Sequence, residues 1–174
     1  MTLQEIRQRT GYNPQAPLGL KQATRSWLGS LHQQYPIALT LTLRQVLTEE
    51  TPAGVRKRSL TRVDAEKLAE RFKMKLNRQV FGKRRADVQG MSLNYICVLE
   101  GMRSTKNLHL HMAIGGLPKG IKFNQMPKMV LAAKRLVQNI DEQHDLQIAD
   151  SGWFEYITKE TTATDTDNVL WHLS

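Results

Sequence analysis

Two histidines one residue apart, His109 and His111, stand in the run Asn107-Leu108-His109-Leu110-His111-Met112-Ala113-Ile114-Gly115-Gly116, where they alternate with apolar residues. Side chains two apart on a strand share a face. A strand here sends Leu108, Leu110 and Met112 into a core and the two imidazoles out of the opposite face, side by side. Paired imidazoles at that spacing are half of a divalent-metal site, and they are also what a solvated sheet face carries. A second strand-like run, Ser92 to Glu100, holds Tyr95, Ile96, Cys97, Val98 and Leu99 and joins the first through residues 101–106. That spacing predicts an antiparallel hairpin. With the turn centred on Ser104 and Thr105, Glu100 stands opposite His109, and directly opposed residues lie on one face. One carboxylate and two imidazoles then form a set with coordination positions left for water or substrate. A slip of one residue in the pairing turns Glu100 away.

The elements that must hold these groups are legible from periodicity. Ile37, Leu39, Leu41 and Leu43 alternate with Ala38, Thr40 and Thr42, which predicts a strand with one apolar face and one small, polar face. Residues 44–60 contain Pro52, Gly54 and the cluster Arg56, Lys57, Arg58, and read as a loop. Thr61 with Asp64 three positions on starts a helix in the manner of a capping box, and Ala65, Leu68, Ala69, Phe72 and Leu76 give it an apolar stripe ending near Gly82. Lys83, Arg84 and Arg85 form a second basic cluster, and Lys119 and Lys122 lie in the loop after the histidine strand. Pro127 opens a further helix whose stripe is Met129, Ala133, Leu136, Val137 and Ile140; His144 to Ala149 reads as a weaker strand. Asp150 and Ser151 cap a short helix carrying Trp153, Phe154, Tyr156, Ile157 and Lys159.

The order strand, helix, strand, strand, helix, strand, helix predicts an α+β fold, a mainly antiparallel central sheet with two helices packed on one face, ferredoxin-like in outline. Residues 1–35 read as an N-terminal arm with a short helix near Gln22 to His32, residues 36–160 as the domain and residues 161–174 as a tail.

With 174 residues the chain can bury a core without staples. Its single cysteine, Cys97, excludes a disulfide framework and a cysteine zinc site. No apolar run is long enough for a membrane span, and no signal-peptide layout is seen, so a soluble, cytoplasmic protein is expected. Lys and Arg number 25 against 16 Asp and Glu, a net charge of +9, which favours a polyanionic partner, most often nucleic acid. The three basic clusters are the candidate phosphate contacts.

Three pieces in order carry a resemblance: the strand Ile37 to Leu43, then Glu100 ahead of His109-Leu110-His111, then Tyr156-Ile157-Thr158-Lys159. Over residues 36–160 the chain resembles the HUH endonucleases, and among them the single-tyrosine rolling-circle replication initiators. The resemblance implies Glu100, His109 and His111 as ligands of magnesium or manganese, Tyr156 as nucleophile and Lys159 as an assisting cation. It implies nicking of single-stranded or hairpin DNA through a covalent 5′-phosphotyrosine. Positions four before and four after Tyr156 are Gly152 and Glu160, so no second tyrosine lies one turn away. A relaxase order would nominate Tyr12 instead, in a Gly-Tyr-Asn-Pro turn. A single-tyrosine transposase shares the same motif order. No nucleoside triphosphate loop is present, so unwinding falls to a partner helicase. A reading from another class is a non-catalytic nucleic-acid-binding module, against which stands the lack of aromatics on strands 36–43 and 107–115.

Overall fold

The computed structural model describes residues 16–101, 107–159 and 168–173. Its strands are β1 (Ile37–Leu43), β2 (Val46–Thr51), β3 (Gly54–Ser59), β4 (Asn94–Glu100), β5 (His109–Gly115) and β6 (Ile140–Ile148). The helices are α1 (Ala16–Ser30), α2 (Arg62–Phe81), α3 (Lys83–Asp87), α4 (Met126–Arg135) and α5 (Ser151–Ile157).

Alternation along β1 decides the layering. Ile37, Leu39, Leu41 and Leu43 are buried in the larger core, and Ala38 belongs to a smaller core on the opposite face. The sheet order is β4-β5-β1-β6, with every pairing antiparallel. One helix, α2, leads from β1 towards β4, and another, α4, leads from β5 to β6; this is the split βαβ arrangement of a ferredoxin-like α+β fold. The predicted stripe of α2 is the buried one: Ala65, Leu68, Ala69, Phe72 and Leu76 meet the sheet together with Val130 and Ala133 of α4.

The second face is covered as well, which the sequence reading did not foresee. Leu28 of α1 packs with Ile96, Val98, Ala113 and with Trp153, Phe154 and Ile157 of α5. At the outer edge, β4 receives another segment: Leu99 N–H donates to the Asn168 carbonyl and Leu170 N–H to the Cys97 carbonyl, each at 2.8 Å. Residues on both sides of 36–160 thus take part in the sheet's packing. Tyr12 and the hairpin turn around Ser104 and Thr105 lie outside the described residues.

Two local expectations are corrected. Residues 44–60 form not a loop but the antiparallel pair β2 and β3, in register from Val46 opposite Ser59 to Thr51 opposite Gly54. The pair is exposed on both faces apart from Leu47 and parts of Glu49 and Arg58, so it lacks the apolar alternation by which strands are recognised. Further on, the stripe expected to run to Ile140 stops at Arg135, and Ile140 opens β6 instead. Asn139 takes a left-handed conformation at φ 71°, which asparagine tolerates better than most residues and which turns the chain back to the sheet.

Asp64 anchors the junction between β3 and α2. Its carboxylate accepts from Thr61 N–H at 2.9 Å in a complete capping box, and from both terminal nitrogens of Arg58 at 2.5 and 2.9 Å. The Arg58 guanidinium, first, and the Thr61 donors hold this carboxyl far below the usual carboxylate range. Asp64→Ala should cost about 1–2 kcal/mol, read as a lower urea midpoint at unchanged slope. A depressed carboxyl stabilises the fold above its unfolded pKa of about 4 and loses that contribution as pH falls below it. The gap between the wild type and Asp64→Ala should therefore be full at pH 7 and close in acid.

Candidate active site

The pairing of β4 with β5 sets Glu100 opposite His109, the register expected from the turn. Gly101 makes it possible: at φ 99°, an added Cβ would lie 2.6 Å from the Asn107 carbonyl oxygen, so the strand turns immediately after Glu100. On the other side, β1 sets Thr42 opposite His109 and Thr40 opposite His111. Asp145 of β6 is the next residue in the Thr40 row.

His111 is the pivot. Buried at 2 % exposure, it meets Glu100 Oε2 through Nε2 at 2.7 Å and Thr40 Oγ1 through Nδ1 at 3.0 Å. Burial, the largest influence, lowers its pKa, and the Glu100 carboxylate only partly offsets this, so the ring is neutral at neutral pH. A neutral imidazole has one N–H. Against a carboxylate that hydrogen sits on Nε2, and Thr40 then donates to Nδ1.

Glu100 is buried too, and burial pushes its carboxyl up; the hydrogen bonds from Lys159 and His111 together more than reverse this and leave it lowered. Lys159 Nζ lies 2.9 Å from Glu100 Oε1. Burial pulls the ammonium down, but its bond to Glu100, with a contribution from Tyr156, leaves it raised and firmly charged. The same Nζ stands 3.7 Å from the centre of the Tyr156 ring, a cation over a π face.

Helix α5 brings in the tyrosine. Asp150 caps it by accepting from Trp153 N–H at 2.9 Å. Phe154 and Ile157 fix one side in the smaller core, which turns Trp153 and Tyr156 onto the histidine face. Tyr156 meets His111 edge to face with ring centres 5.5 Å apart and stacks on Trp153 at 5.6 Å. It remains 47 % exposed, with one side open to solvent. Behind it, Arg25 Nε of α1 donates to Thr158 Oγ1 at 3.3 Å and steadies the end of the helix.

Glu100, His111, Tyr156 and Lys159 are thus gathered around one point, and His109 stands beside them, half-buried, with its ring centre 6.2 Å from that of His111. Among the described residues no three His, Cys, Asp or Glu side chains are grouped closely enough to hold an ion. The donor chemistry nevertheless suits a divalent cation: Glu100 and His111 are joined through a single proton that such an ion would replace. Binding at Nε2 needs the tautomer with hydrogen on Nδ1, and the Thr40 hydroxyl, which can accept as well as donate, serves both tautomers.

The basic clusters belong to other elements. Arg56 and Lys57 are exposed on β3, but Arg58 is taken up by Glu49 at 2.6 Å and by Asp64. Lys83, Arg84 and Arg85 are exposed on α3, and Lys119 and Lys122 follow β5, both groups at the end of the sheet away from Glu100. Sequence reasoning missed Thr40 as the partner of His111 and Trp153 as the support of Tyr156. The polar face of β1 hinted at the first; nothing in the spacing of α5 announced the second. The chain matches no family model, no curated protein and no solved structure.

Proposed function

We propose that the chain is a metal-dependent endonuclease and strand-transfer enzyme for single-stranded or hairpin DNA, acting through Tyr156. The observation that supports this reading is the meeting of an exposed tyrosine, a charged lysine and a buried Glu–His pair, drawn from β4, β5, α5 and, for Lys159, the turn that follows Ile157 rather than the helix itself. A divalent ion held by Glu100, His109 and His111 would neutralise charge on the scissile phosphate.

The chain's own residues supply the rest. A phenol attacks well only after losing its proton. Lys159, which stays protonated, is no base for it, so the phenol proton leaves to solvent, and the ammonium stands beside the ring where the phosphate's charge has to be met. The Tyr156 oxygen bonds to phosphorus as the bond from phosphorus to the 3′ oxygen breaks, and that oxygen takes up a proton. The product is a 5′-phosphotyrosine and a free 3′ hydroxyl. Return of a 3′ hydroxyl reverses the step and joins strands, as rolling-circle initiation or single-tyrosine transposition requires; duplex unwinding is left to a helicase partner.

Labelled single-stranded DNA incubated with the protein and manganese should yield a covalent species on a denaturing gel, and chelation should remove it. Failure with every hairpin and single-stranded substrate would favour a binding module without catalysis. Arg56 and Lys57 are proposed to track the phosphate backbone, as are Lys83, Arg84, Arg85, Lys119 and Lys122; Arg58 serves the fold first. Replacing Arg56 and Lys57 by alanine should flatten the plot of log affinity against log salt by about 1 to 1.5, since each lost phosphate contact on a single strand removes roughly 0.7. An unchanged slope would return both residues to the role of a solvated hairpin.

A further inference from the structure

Next to the tyrosine, towards the open β6 edge, lies a hollow of about 320 Å³ lined by Thr40, Asp145, Gln147, Asp150, Trp153 and Tyr156. It is large enough for a planar heterocycle. Its charge is the opposite of what a phosphate needs, in a chain that is otherwise basic by +9. Two carboxylates repel phosphate and attract N–H donors. Asp150 is spent on the α5 cap, whereas the side chains of Asp145 and Gln147 make no hydrogen bond or ion pair among the described residues. Placed two apart on β6, they share the face on which Thr40 lies opposite Asp145. A separate observation points the same way: Trp153, only 6 % exposed, forms a wall of the hollow, and its indole N–H is buried without a partner. Buried donors are rarely left so unless a ligand or water meets them.

We propose that this hollow takes the unpaired nucleobase next to the scissile phosphate, and guanine ahead of the other three. The inference rests on the single-stranded DNA reading above. Guanine alone presents two N–H donors side by side, at N1 and N2, which a carboxylate such as Asp145 receives as a pair. Its adjoining O6 accepts from the Gln147 amide. Adenine and cytosine offer an amine next to a ring-nitrogen acceptor, and thymine an N–H between two carbonyls; in each, an acceptor faces the Asp145 oxygens. The stacked Trp153 and Tyr156 rings supply an aromatic side to the pocket.

The test titrates the ¹⁵N-labelled full chain with the pentamers d(TTGTT), d(TTATT), d(TTCTT) and d(TTTTT) and follows the indole N–H signals, that of Trp153 being identified by its loss in Trp153→Phe. The guanine pentamer should bind at least tenfold more tightly than the thymine one and shift the Trp153 signal. In Asp145→Asn it should bind no more tightly than d(TTTTT). An unmoved Trp153 signal, or a guanine preference that survives Asp145→Asn, overturns the pocket. Adduct formation is read separately on the same protein. An adduct without guanine preference overturns the pocket alone. Guanine preference with the indole shift, but no adduct from any DNA, upholds the pocket and overturns the nicking reading.

Discussion

Tyr156→Phe should abolish the covalent DNA adduct, a loss of at least about a thousandfold in nicking rate, while leaving DNA binding and folding in place. The substitution deletes one oxygen from a ring that is 47 % exposed and whose hydroxyl makes no contact needed by the core. The stacking on Trp153, the edge contact with His111 and the cation at 3.7 Å all involve the ring and survive in phenylalanine. Stability should stay within about 0.5 kcal/mol of wild type, as for surface changes that break no special feature. Removing a nucleophile, by contrast, commonly costs orders of magnitude in rate. A denaturing gel of labelled DNA, beside a urea melt of the same protein, checks both halves. An adduct that persists in Tyr156→Phe would move the nucleophile elsewhere, with Tyr12 the first to examine.

The second large effect concerns the two histidines, which the fold makes unequal. His111→Ala should lose cleavage and at least about a hundredfold in manganese affinity, and also destabilise the protein by roughly 1–3 kcal/mol, because it strips a buried partner from Glu100 and from Thr40. His109 is half-buried with no neighbour that depends on it to such a degree, so His109→Ala should lose cleavage and manganese affinity at little cost to the melt. Isothermal titration with manganese, read against denaturation midpoints, separates the two roles. Full cleavage by His109→Ala with manganese affinity unchanged would remove that residue from the site. Glu100 is a third case, since Lys159 pairs with the oxygen that His111 leaves alone. In Glu100→Gln the lysine loses its counter-charge, so a defect there reports on two contacts at once.

Local chemistry is what the amino-acid sequence determined by itself. Alternation in Ile37 to Leu43 and in Leu108 to Met112 requires two-faced strands, because successive side chains leave a strand on opposite sides. Thr61 and Asp64 announce the start of α2 through a hydrogen-bond exchange confined to one turn. Glu100 opposite His109 follows from a short turn and the pairing rule, so the meeting of a carboxylate and an imidazole across two strands was readable from the residues alone. The order of the elements sufficed for the ferredoxin-like outline.

Tertiary structure decided everything that depends on contacts between elements distant in sequence. Nothing local says that α5 lies across the histidine face, because Trp153, Phe154, Tyr156 and Ile157 are all large and apolar and any of them is a suitable core residue; only the competition for the smaller core turns Phe154 and Ile157 inwards and leaves Tyr156 over His111. Arg25 reaching Thr158 and Leu28 entering that core likewise bring α1 to the tyrosine helix from 133 residues away in the chain. The β2 and β3 pair escaped notice for the converse reason: its strands bury almost nothing, so their backbone pairing leaves no hydrophobic period to read. The tautomer of His111 was also beyond the sequence, since it is set by Thr40 on one side and Glu100 on the other, 71 residues and 11 residues distant, and a histidine takes its proton where its neighbours direct it.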